Sequence, residues 1–438
     1  MNFIISALVA AVSLIPARPD LHGRVTDAEG RPLPGATAHI YTGAVRTGTS
    51  PYCPSCYADC AKSAKTDADG NFSIPSLDPE LKFTVLVVAE GYKPILTGLV
   101  DPALGKPVEV KLAEMPAHLD PARILKGRII GPDGNPVMGA IVSPFGCKTR
   151  SSRWWGSMPG VDAMSITNTR GEFLLTGESP AIAYDIQVEA RGLATRRFAL
   201  VPLGDQSHEL HLTEGATVTG RLMKNGKPLS GITIGLVQDD RSYEGFTGAQ
   251  KIATDAQGRF TFLNVSPPGE WDVYGLMKSM PEKQAVKYQK VQFDGDTTIT
   301  DVGDLPWSPA FTVGGQIILS DGKPVPPGTR LIVGRDRAWD SQTVTLDPAG
   351  RFSVSGVPGE EIHVTVSIRG YHLSAQNISL DRLNLTFLDG TIEKDTPNLR
   401  ILLEPGPIIA NDPRQMQQII QTSRSQRFKP LQGVAVQE

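Results

Sequence analysis

Hydrophobic and polar residues alternate with a period of two over short stretches along most of the chain. Two examples are YDIQV at 184–188 and VEVKL at 108–112. This alternation is typical of strands that have one buried and one exposed face. Gly, Pro, Asp and Asn separate the stretches at short intervals, and no helical periodicity is found before about residue 413. The pattern therefore predicts an all-β protein built from short strands and frequent turns.

A first sequence motif occurs four times along the chain. It begins at Gly23 (GRVTDAEGRPLPGA), and the other copies begin at Gly127 (GRIIGPDGNPVMGA), Gly220 (GRLMKNGKPLSGI) and Gly315 (GQIILSDGKPVPPGT). The copies start 93 to 104 residues apart, which is the size of one small sandwich domain and not of a solenoid unit. Each copy predicts a strand, a glycine-containing turn and a step into a second strand.

A second motif follows in each copy: TDADGNFSI at 66–74, TNTRGEFLL at 167–175, TDAQGRFTF at 254–262 and LDPAGRFSV at 346–354. We interpret it as a hairpin whose Gly makes the turn. The Phe after that turn should point into the core in each copy, which applies to Phe72, Phe173, Phe260 and Phe352. Short alternating strands arranged in this way predict a sandwich of two antiparallel sheets in every repeat.

These motifs resemble the carboxypeptidase regulatory-like domain, a prealbumin-like (transthyretin-like) sandwich, in tandem proteins of the bacterial secreted type. The resemblance is closest from Leu21 to Ala113, where the motifs end in the segment VVAEGY. It implies four tandem Greek-key-type antiparallel β-sandwiches. It also implies accessory modules of proteases, outer-membrane receptors and surface proteins, which are not catalytic themselves. A fold alone does not define a function.

The repeats divide the chain into the following expected segments. These are a signal-peptide-like segment (1–17), sandwich 1 with a Cys-rich insertion (18–116), sandwich 2 with a Trp-Trp insertion (117–214), sandwich 3 (215–306), sandwich 4 (307–405) and a tail (406–438). For the tail, a short helix and a disordered segment remain alternative interpretations.

Charge and the N-terminal segment bear on location. Lys and Arg (43) nearly balance Asp and Glu (46), and this balance argues against a nucleic-acid partner. The apolar run from Phe3 to Ile15 is too short to span a bilayer comfortably, and its position fits a secretory signal, although a basic n-region is missing. We therefore expect a secreted, periplasmic or cell-envelope protein without a transmembrane span in the mature chain.

Catalytic motifs are sparse. The segment His211-Leu212-Thr213-Glu214 matches the H-x-x-E of zinc carboxypeptidases, but it falls in an expected strand, and the repeats leave no room for a catalytic domain. The acidic turn 67–71 lacks the ligand spacing of a calcium loop. We therefore predict no enzyme, no metal and no cofactor.

Four cysteines form the most unusual feature of the composition: Cys53, Cys56, Cys60 and Cys147. The first three lie in an insertion of copy one, and the fourth lies in the equivalent region of copy two. In an exported protein an even number of cysteines indicates disulfides, here one within the trio and one from Cys147 to the remaining member. A four-thiolate metal site and a redox role for the C-x-x-C segment are the alternatives.

Tryptophans supply the candidate ligand-binding residues. Arg153, Trp154 and Trp155 are adjacent in the copy-two insertion, and Trp339 lies in a short loop of copy four. Exposed Trp can stack on sugars or anchor a protein partner, whereas buried Trp packs beneath an insertion. Both interpretations remain open.

Together these features predict an exported, non-enzymatic multi-domain binding or structural protein. The resemblance to domains that are grouped with carbohydrate-binding-like folds implies a polysaccharide as the first ligand to test, and the Trp pair is consistent with it. Two alternatives are an accessory module that contacts an envelope protease or receptor, and a scaffold for a four-thiolate site.

Overall fold

The structure is a computed structural model that describes residues 18–46, 57–115, 120–156, 160–162, 164–177, 180–281, 283–293, 295–335, 337–374 and 387–406. Strands dominate these residues, and the helices among them are four single 3₁₀ turns. The all-β prediction is confirmed. The signal-like segment and the tail beyond Gly406 lie outside the described residues. The chain contacts define two compact units, which are described separately.

The first unit comprises the described residues up to 192 and 198–212, and it contains sandwiches 1 and 2. In sandwich 1 a three-stranded sheet (β4-β1-β7) faces a four-stranded one (β3-β2-β5-β6). The elements of sandwich 1 are β1 (Leu21–Asp27), β2 (Thr37–Val45), η1 (Ala58–Ala61), β3 (Ser63–Lys65), β4 (Asn71–Ile74), β5 (Leu81–Val88), β6 (Ile95–Leu96), η2 (Pro102–Leu104) and β7 (Val108–Leu112).

Sandwich 2 repeats this plan with the sheets β12-β8-β15 and β10-β9-β13-β14, and β11 also pairs with β9. Its elements are η3 (Pro121–Arg123), β8 (Ile124–Ile130), β9 (Ile141–Lys148), β10 (Arg153–Trp155), β11 (Ser165–Ile166), β12 (Glu172–Thr176), β13 (Ala183–Glu189), β14 (Arg196–Pro202) and β15 (Ser207–His211). Sandwiches 1 and 2 meet in a small apolar cluster that contains Tyr41, Leu86, Val88 and Ile166.

The second unit comprises residues 193–197 and the described residues from 213 onward. Sandwich 3 has the sheets β21-β16-β25 and β20-β19-β22-β24. Its elements are β16 (Ala216–Arg221), β17 (Met223–Lys224), β18 (Lys227–Pro228), β19 (Thr233–Gln238), β20 (Ala249–Ala253), β21 (Arg259–Val265), β22 (Gly269–Gly275), η4 (Met277–Ser279), β23 (Gln284–Val286), β24 (Gln289–Phe293) and β25 (Ile299–Asp304).

Sandwich 4 completes the second unit. Its elements are β26 (Trp307–Leu319), β27 (Arg330–Arg335), β28 (Ser341–Thr345), β29 (Arg351–Pro358), β30 (Glu361–Val366), β31 (Tyr371–Leu373), β32 (Phe387–Thr391) and β33 (Thr396–Pro405). One sheet has the order β28-β27-β30-β32, and the other has the order β23-β26-β33-β31, with β29 also on β26. Strand β23 therefore joins sandwich 3 to the first strand of sandwich 4.

The two sequence motifs form one interlocked turn in every sandwich. The glycine of the second motif (Gly70, Gly171, Gly258 and Gly350) has φ between 71 and 78°. Its carbonyl accepts a hydrogen bond of 2.8–2.9 Å from an amide of the first strand. A Cβ at this glycine would lie only 2.4–2.7 Å from a carbonyl oxygen of that strand, so the close approach requires glycine.

The core contains the residues that the repeats predicted. The four phenylalanines that follow these glycines, Phe72, Phe173, Phe260 and Phe352, are each at most 7% exposed. The pairing also holds a feature that the sequence pattern does not predict. The first strand of each sandwich pairs antiparallel with the motif-two strand and parallel with the last strand, as in β1–β7 and β26–β33.

A buried arginine holds sandwiches 3 and 4 together within the second unit. The Arg335 side chain is fully buried, and its guanidinium donates to Glu360 Oε1 (2.5 Å) and Asp340 Oδ2 (3.3 Å) of sandwich 4. It also donates to the carbonyls of Gly275 (2.6 Å) and Val286 (3.2 Å) of sandwich 3. Because each donor group has an acceptor, the burial of this charge is compensated only when both sandwiches are in place.

We predict that Arg335→Met lowers the unfolding free energy of the second unit by about 3–5 kcal/mol, because it leaves two buried carboxylates without their cation. Calorimetry on the full chain, with hydrogen exchange to assign each transition to a unit, measures the effect. Arg330→Met, at the exposed start of the same strand, is the control and should change stability little. A loss as small as that of the control would contradict this role for Arg335.

Candidate functional site

The candidate residues Arg153, Trp154, Trp155 and Trp339 occupy one topological position, whereas Cys147, expected after the second strand of sandwich 2, lies within that strand, β9. Each sandwich has one sheet that does not contain its first strand. The second long strand of the sandwich (β2, β9, β19 and β27) lies in the interior of that sheet. The segment that follows this strand carries the Cys-rich insertion in sandwich 1 and Arg153–Trp155 in sandwich 2. The same position holds residues 239–248 in sandwich 3 and the loop with Trp339 in sandwich 4. Variable chemistry is thus placed on a repeated scaffold.

In sandwich 2 the candidate arginine has a structural partner. Arg153 lies on β10, and its guanidinium donates to both carboxylate oxygens of Asp185, at 2.9 and 3.2 Å. The Asp185 side chain is fully buried and also accepts from the Leu200 amide at 2.8 Å. The same guanidinium lies 4.8 Å from the ring centroid of Trp155. Arg153 and Trp155 therefore pack over a buried carboxylate, as the packing interpretation predicts.

Trp154 lies on the other face of β10. It pairs with Cys147 across the hairpin and is 38% exposed. Cys147 and its neighbour Tyr184 are fully buried, and burial raises the pKa of the Cys147 thiol. Burial also raises the pKa of Tyr184 to about 12, and its hydroxyl has no hydrogen-bond partner within the part of the chain that the structure describes. Trp154 therefore offers a ligand only one partly exposed edge.

The cysteine assignments stay predictions. Cys53 and Cys56 lie outside the described residues. Cys60 is buried at the end of η1, and its carbonyl accepts from Arg191. Cys147 is a free, buried thiol in the structure. Across the described ranges no group of three or more His, Cys, Asp or Glu side chains could hold a metal ion.

Trp339 forms the most exposed aromatic surface of the candidates. It is 54% exposed, and it stacks on Phe246 with ring centroids 5.3 Å apart and an angle of 22° between planes. Its loop is held closed by the Arg335 amide, which donates to the Asp340 carbonyl at 3.0 Å, and by the ion pair between the same two residues. The indole is therefore exposed and fixed at the same time.

Beneath this surface lies a second ion-pair network. Arg337 bridges Asp239 (2.7 Å) and Asp272 (3.2 Å), and its guanidinium also lies 5.1 Å from the Tyr288 ring centroid. Lys290 pairs with Glu270 at 2.7 Å. The two acidic residues of the Arg337 network belong to sandwich 3, whereas Arg337 belongs to sandwich 4. The network therefore fastens the Trp339 loop onto the outer face of the β19–β22–β24 sheet.

One carboxylate of this network is incompletely satisfied. The Asp272 side chain is fully buried, and its Oδ1 atom has no hydrogen-bond partner among the residues that are described. Burial raises the pKa of Asp272 to about 6, despite the opposing effect of Arg337. Burial also raises the pKa of the neighbouring Tyr274, while the Trp339 backbone amide acts in the opposite direction.

Three further residues of this surface were not predicted from the sequence: Arg241, Phe246 and Arg337. The sequence offers one signal that points to them. The segment 239–246 (DDRSYEGF) follows the second strand of its repeat, as the Cys and Trp insertions do, and it carries two aromatic residues. Their convergence with Trp339 depends on the contact between two sandwiches, which the repeat pattern does not contain.

The first unit contains an open cleft of about 950 Å³ between sandwiches 1 and 2. Its walls carry charges of both signs, and several pair with one another, including Lys93 with Asp162 (3.3 Å) and Arg170 with Glu172 (2.9 Å). The H-x-x-E match adds no chemistry, because His211 lies in β15 and contacts Glu209 at 3.1 Å.

Comparison with known proteins identifies the first sandwich. The chain is a tandem array of β-sandwiches, and the family model of the carboxypeptidase regulatory-like domain matches residues 20–113, which form the first of them. The resemblance stated from the motifs is thereby confirmed: the chain carries a carboxypeptidase regulatory-like domain. No curated protein matches the sequence.

Several solved structures are similar at low identity. A streptococcal ancillary pilin has 11% identity and a TM-score of 0.23, over 65% of this chain and 99% of the pilin. The Bacillus anthracis TIE protein has 10% identity and a TM-score of 0.19, over 85% of this chain and 68% of that protein. GBS52, the minor pilin of Streptococcus agalactiae, has 14% identity and a TM-score of 0.23, over 45% and 98%.

We predict that the stability of the protein depends on pH through Asp272. Its folded-state pKa of about 6 lies above the usual value of 3.8. The contribution of the protonated carboxyl to the unfolding free energy is therefore fully present below about pH 4 and is lost as the pH rises through 6. The unfolding free energy of Asp272→Asn, relative to that of the wild type, should therefore increase by roughly 2–3 kcal/mol between pH 4 and pH 7.

Thermal unfolding of the two proteins at each pH measures this difference. Asp304→Asn serves as the control, because Asp304 forms a half-exposed ion pair with Arg221. A constant difference between Asp272→Asn and the wild type across this range would contradict the raised pKa.

Proposed function

We propose that the protein is an exported, non-enzymatic binding protein that holds a polysaccharide through the surface around Trp339. The observation that carries this proposal is an indole that is 54% exposed and yet fixed by stacking on Phe246 and by a closed loop. A rigid, flat ring loses little conformational entropy when it contacts a sugar face, and it buries a large apolar area. Trp154, with its partly exposed edge, is a secondary contact.

The scaffold supports a binding role for this surface. The repeated sandwiches supply rigid strands, and the variable segments follow the same strand in each repeat, an arrangement typical of binding proteins that place function on loops. The carboxypeptidase regulatory-like family that the motifs resemble consists of accessory, non-catalytic modules. No helix in the described parts of the chain is long and apolar enough to cross a membrane. Export rests on the segment 1–17, which lies outside the described residues.

The alternatives from the sequence differ in what they require. An accessory module for an envelope protease or receptor would use the same exposed aromatic surface for a protein partner. A four-thiolate site would require Cys147 to leave its buried position beside Tyr184 and join the insertion of sandwich 1. The exposed indole favours a ligand-binding surface over a thiolate site.

The proposal predicts that Trp339→Ala weakens binding to a responsive polysaccharide by about tenfold or more, because it removes the stacking platform. Affinity electrophoresis of the full chain through gels that contain neutral and acidic polysaccharides measures the loss as a change in mobility. Trp154→Ala should have a smaller effect.

Ile299→Ala is the matched control, because Ile299 is 73% exposed in the same unit and is not part of the Trp339 surface. Each variant should retain a melting temperature near that of the wild type. Mobility of Trp339→Ala equal to that of the wild type in every gel that retards the wild type would refute the proposal.

A further inference from the structure

Arg241 is the one residue of the Trp339 surface whose position the packing of the sandwiches leaves unexplained. Its exposed guanidinium lies 5.2 Å from the centroid of the Trp339 ring and 5.6 Å from that of Phe246. It donates one hydrogen bond, from Nη2 to the Arg337 carbonyl, at 3.1 Å. Among the described residues this is the one hydrogen bond that the five N–H donors of the guanidinium make.

The carboxylates of Asp239, Asp272 and Glu270 near Arg241 pair with two other cations. Arg337 pairs with Asp239 and Asp272, and Lys290 pairs with Glu270. Asp239 and Asp272 also attract Arg241 at longer range. The Asp240 carboxylate turns into its own loop, where it accepts from the Ser242 amide at 2.8 Å. Within the described ranges, no carboxylate oxygen lies within 4.0 Å of a guanidinium nitrogen of Arg241, which is the distance limit for an ion pair. Among the described residues, Arg241 therefore stands beside an exposed indole without a contact ion pair.

We propose that Arg241 and Trp339 form a subsite for a carboxylated sugar, that is, a hexuronate residue of an acidic polysaccharide. This inference rests on the proposed function and specifies its ligand class. The apolar face of the sugar ring stacks on the indole, and its carboxylate accepts a charge-assisted, two-point hydrogen bond from the guanidinium edge. Because stacking already orients the guanidinium, little side-chain freedom is lost on binding.

The same observations argue against two other anionic partners. A nucleic acid requires several cations along its phosphates. In the described part of this surface, Arg241 is the arginine without a contact ion pair, and the chain has a net charge of -3. An acidic peptide presents carboxylates on flexible side chains and has no rigid apolar face to cover the indole. A ring that carries its own carboxylate satisfies both features of the subsite at once.

The test compares two forms of one polymer, sodium polygalacturonate and its fully methyl-esterified form, in which the same rings lack the free carboxylate. Affinity electrophoresis of the full-length protein gives the apparent dissociation constants. The wild type should bind the acid form more tightly, and this preference should decrease as salt is raised, since the charges are partly exposed.

Arg241→Gln keeps a polar side chain that can donate a hydrogen bond, but it removes the charge and shortens the side chain. It should lose about tenfold in affinity for polygalacturonate, the size of one charge-assisted contact, and bind the ester as the wild type does. Arg241→Lys should recover part of the loss, which shows that the variants are folded. Arg330→Gln, an exposed arginine of the same unit, is the control and should bind both forms normally.

The possible outcomes separate the two proposals. If Trp339→Ala weakens binding to both forms and Arg241→Gln weakens neither, the hexuronate inference is overturned and the proposed function stands. If Trp339→Ala weakens neither form, both are overturned. Arg241-dependent binding of poly-glutamate with no binding of polygalacturonate overturns the saccharide as ligand and favours an acidic protein partner.

Discussion

The candidate site depends on the buried guanidinium of Arg335. This side chain satisfies two carbonyls of sandwich 3 and two carboxylates of sandwich 4, so neither sandwich can bury it alone. One of those carboxylates, Asp340, also accepts the Met277 amide at 2.8 Å. Since Trp339 directly precedes Asp340, the hydrogen bonds that join the sandwiches also fix the indole. The geometry of a surface residue is thus set by a fully buried charge.

The molecule divides its sequence between a repeated scaffold and variable segments. The positive-φ glycines and the phenylalanines after them recur in all four sandwiches because the interlocked turn leaves no room for a side chain and the core requires an aromatic residue. The segments after the second strand escape these constraints. They carry cysteines, a Trp-Trp pair, or the Arg and aromatic residues of the Trp339 surface. Such freedom lets one fold acquire different binding surfaces without loss of its core.

The local parts of this structure could be predicted from the sequence, whereas the parts that depend on distant contacts could not. Alternation and turn residues define the strands, and they place Phe72 and its three counterparts in the core. The parallel pairing of β1 with β7 joins strands more than 80 residues apart, with no signal in either strand. Arg335 and the Gly275 carbonyl are 60 residues apart, and their hydrogen bond is a property of the packed sandwiches.

The same reasoning applies to the candidate site. The sequence named Trp339 as a candidate, but it left open whether the indole is exposed or packed. Its stacking on Phe246 and its contact with Arg241 could not be predicted, since these residues belong to a different sandwich. In sandwich 2 the sequence named Arg153, Trp154 and Trp155 as candidates but left their role open. Only the fully buried Asp185 shows that Arg153 serves packing.

The carboxylate beneath the Trp339 surface shows a cost of this arrangement. Asp272 is fully buried with one oxygen unsatisfied, and a neutral side chain would be more stable there at neutral pH. Its ionised form does, however, attract Arg337, and Arg337 places its carbonyl within hydrogen-bond distance of Arg241. If Asp272 were apolar, Arg337 would keep only Asp239 as its acidic partner and would compete with Arg241 for any incoming anion. Since Asp239 and Asp272 pair with Arg337, Arg241 makes no contact ion pair among the described residues. The proposed selection of one carboxylate on a ligand requires this condition.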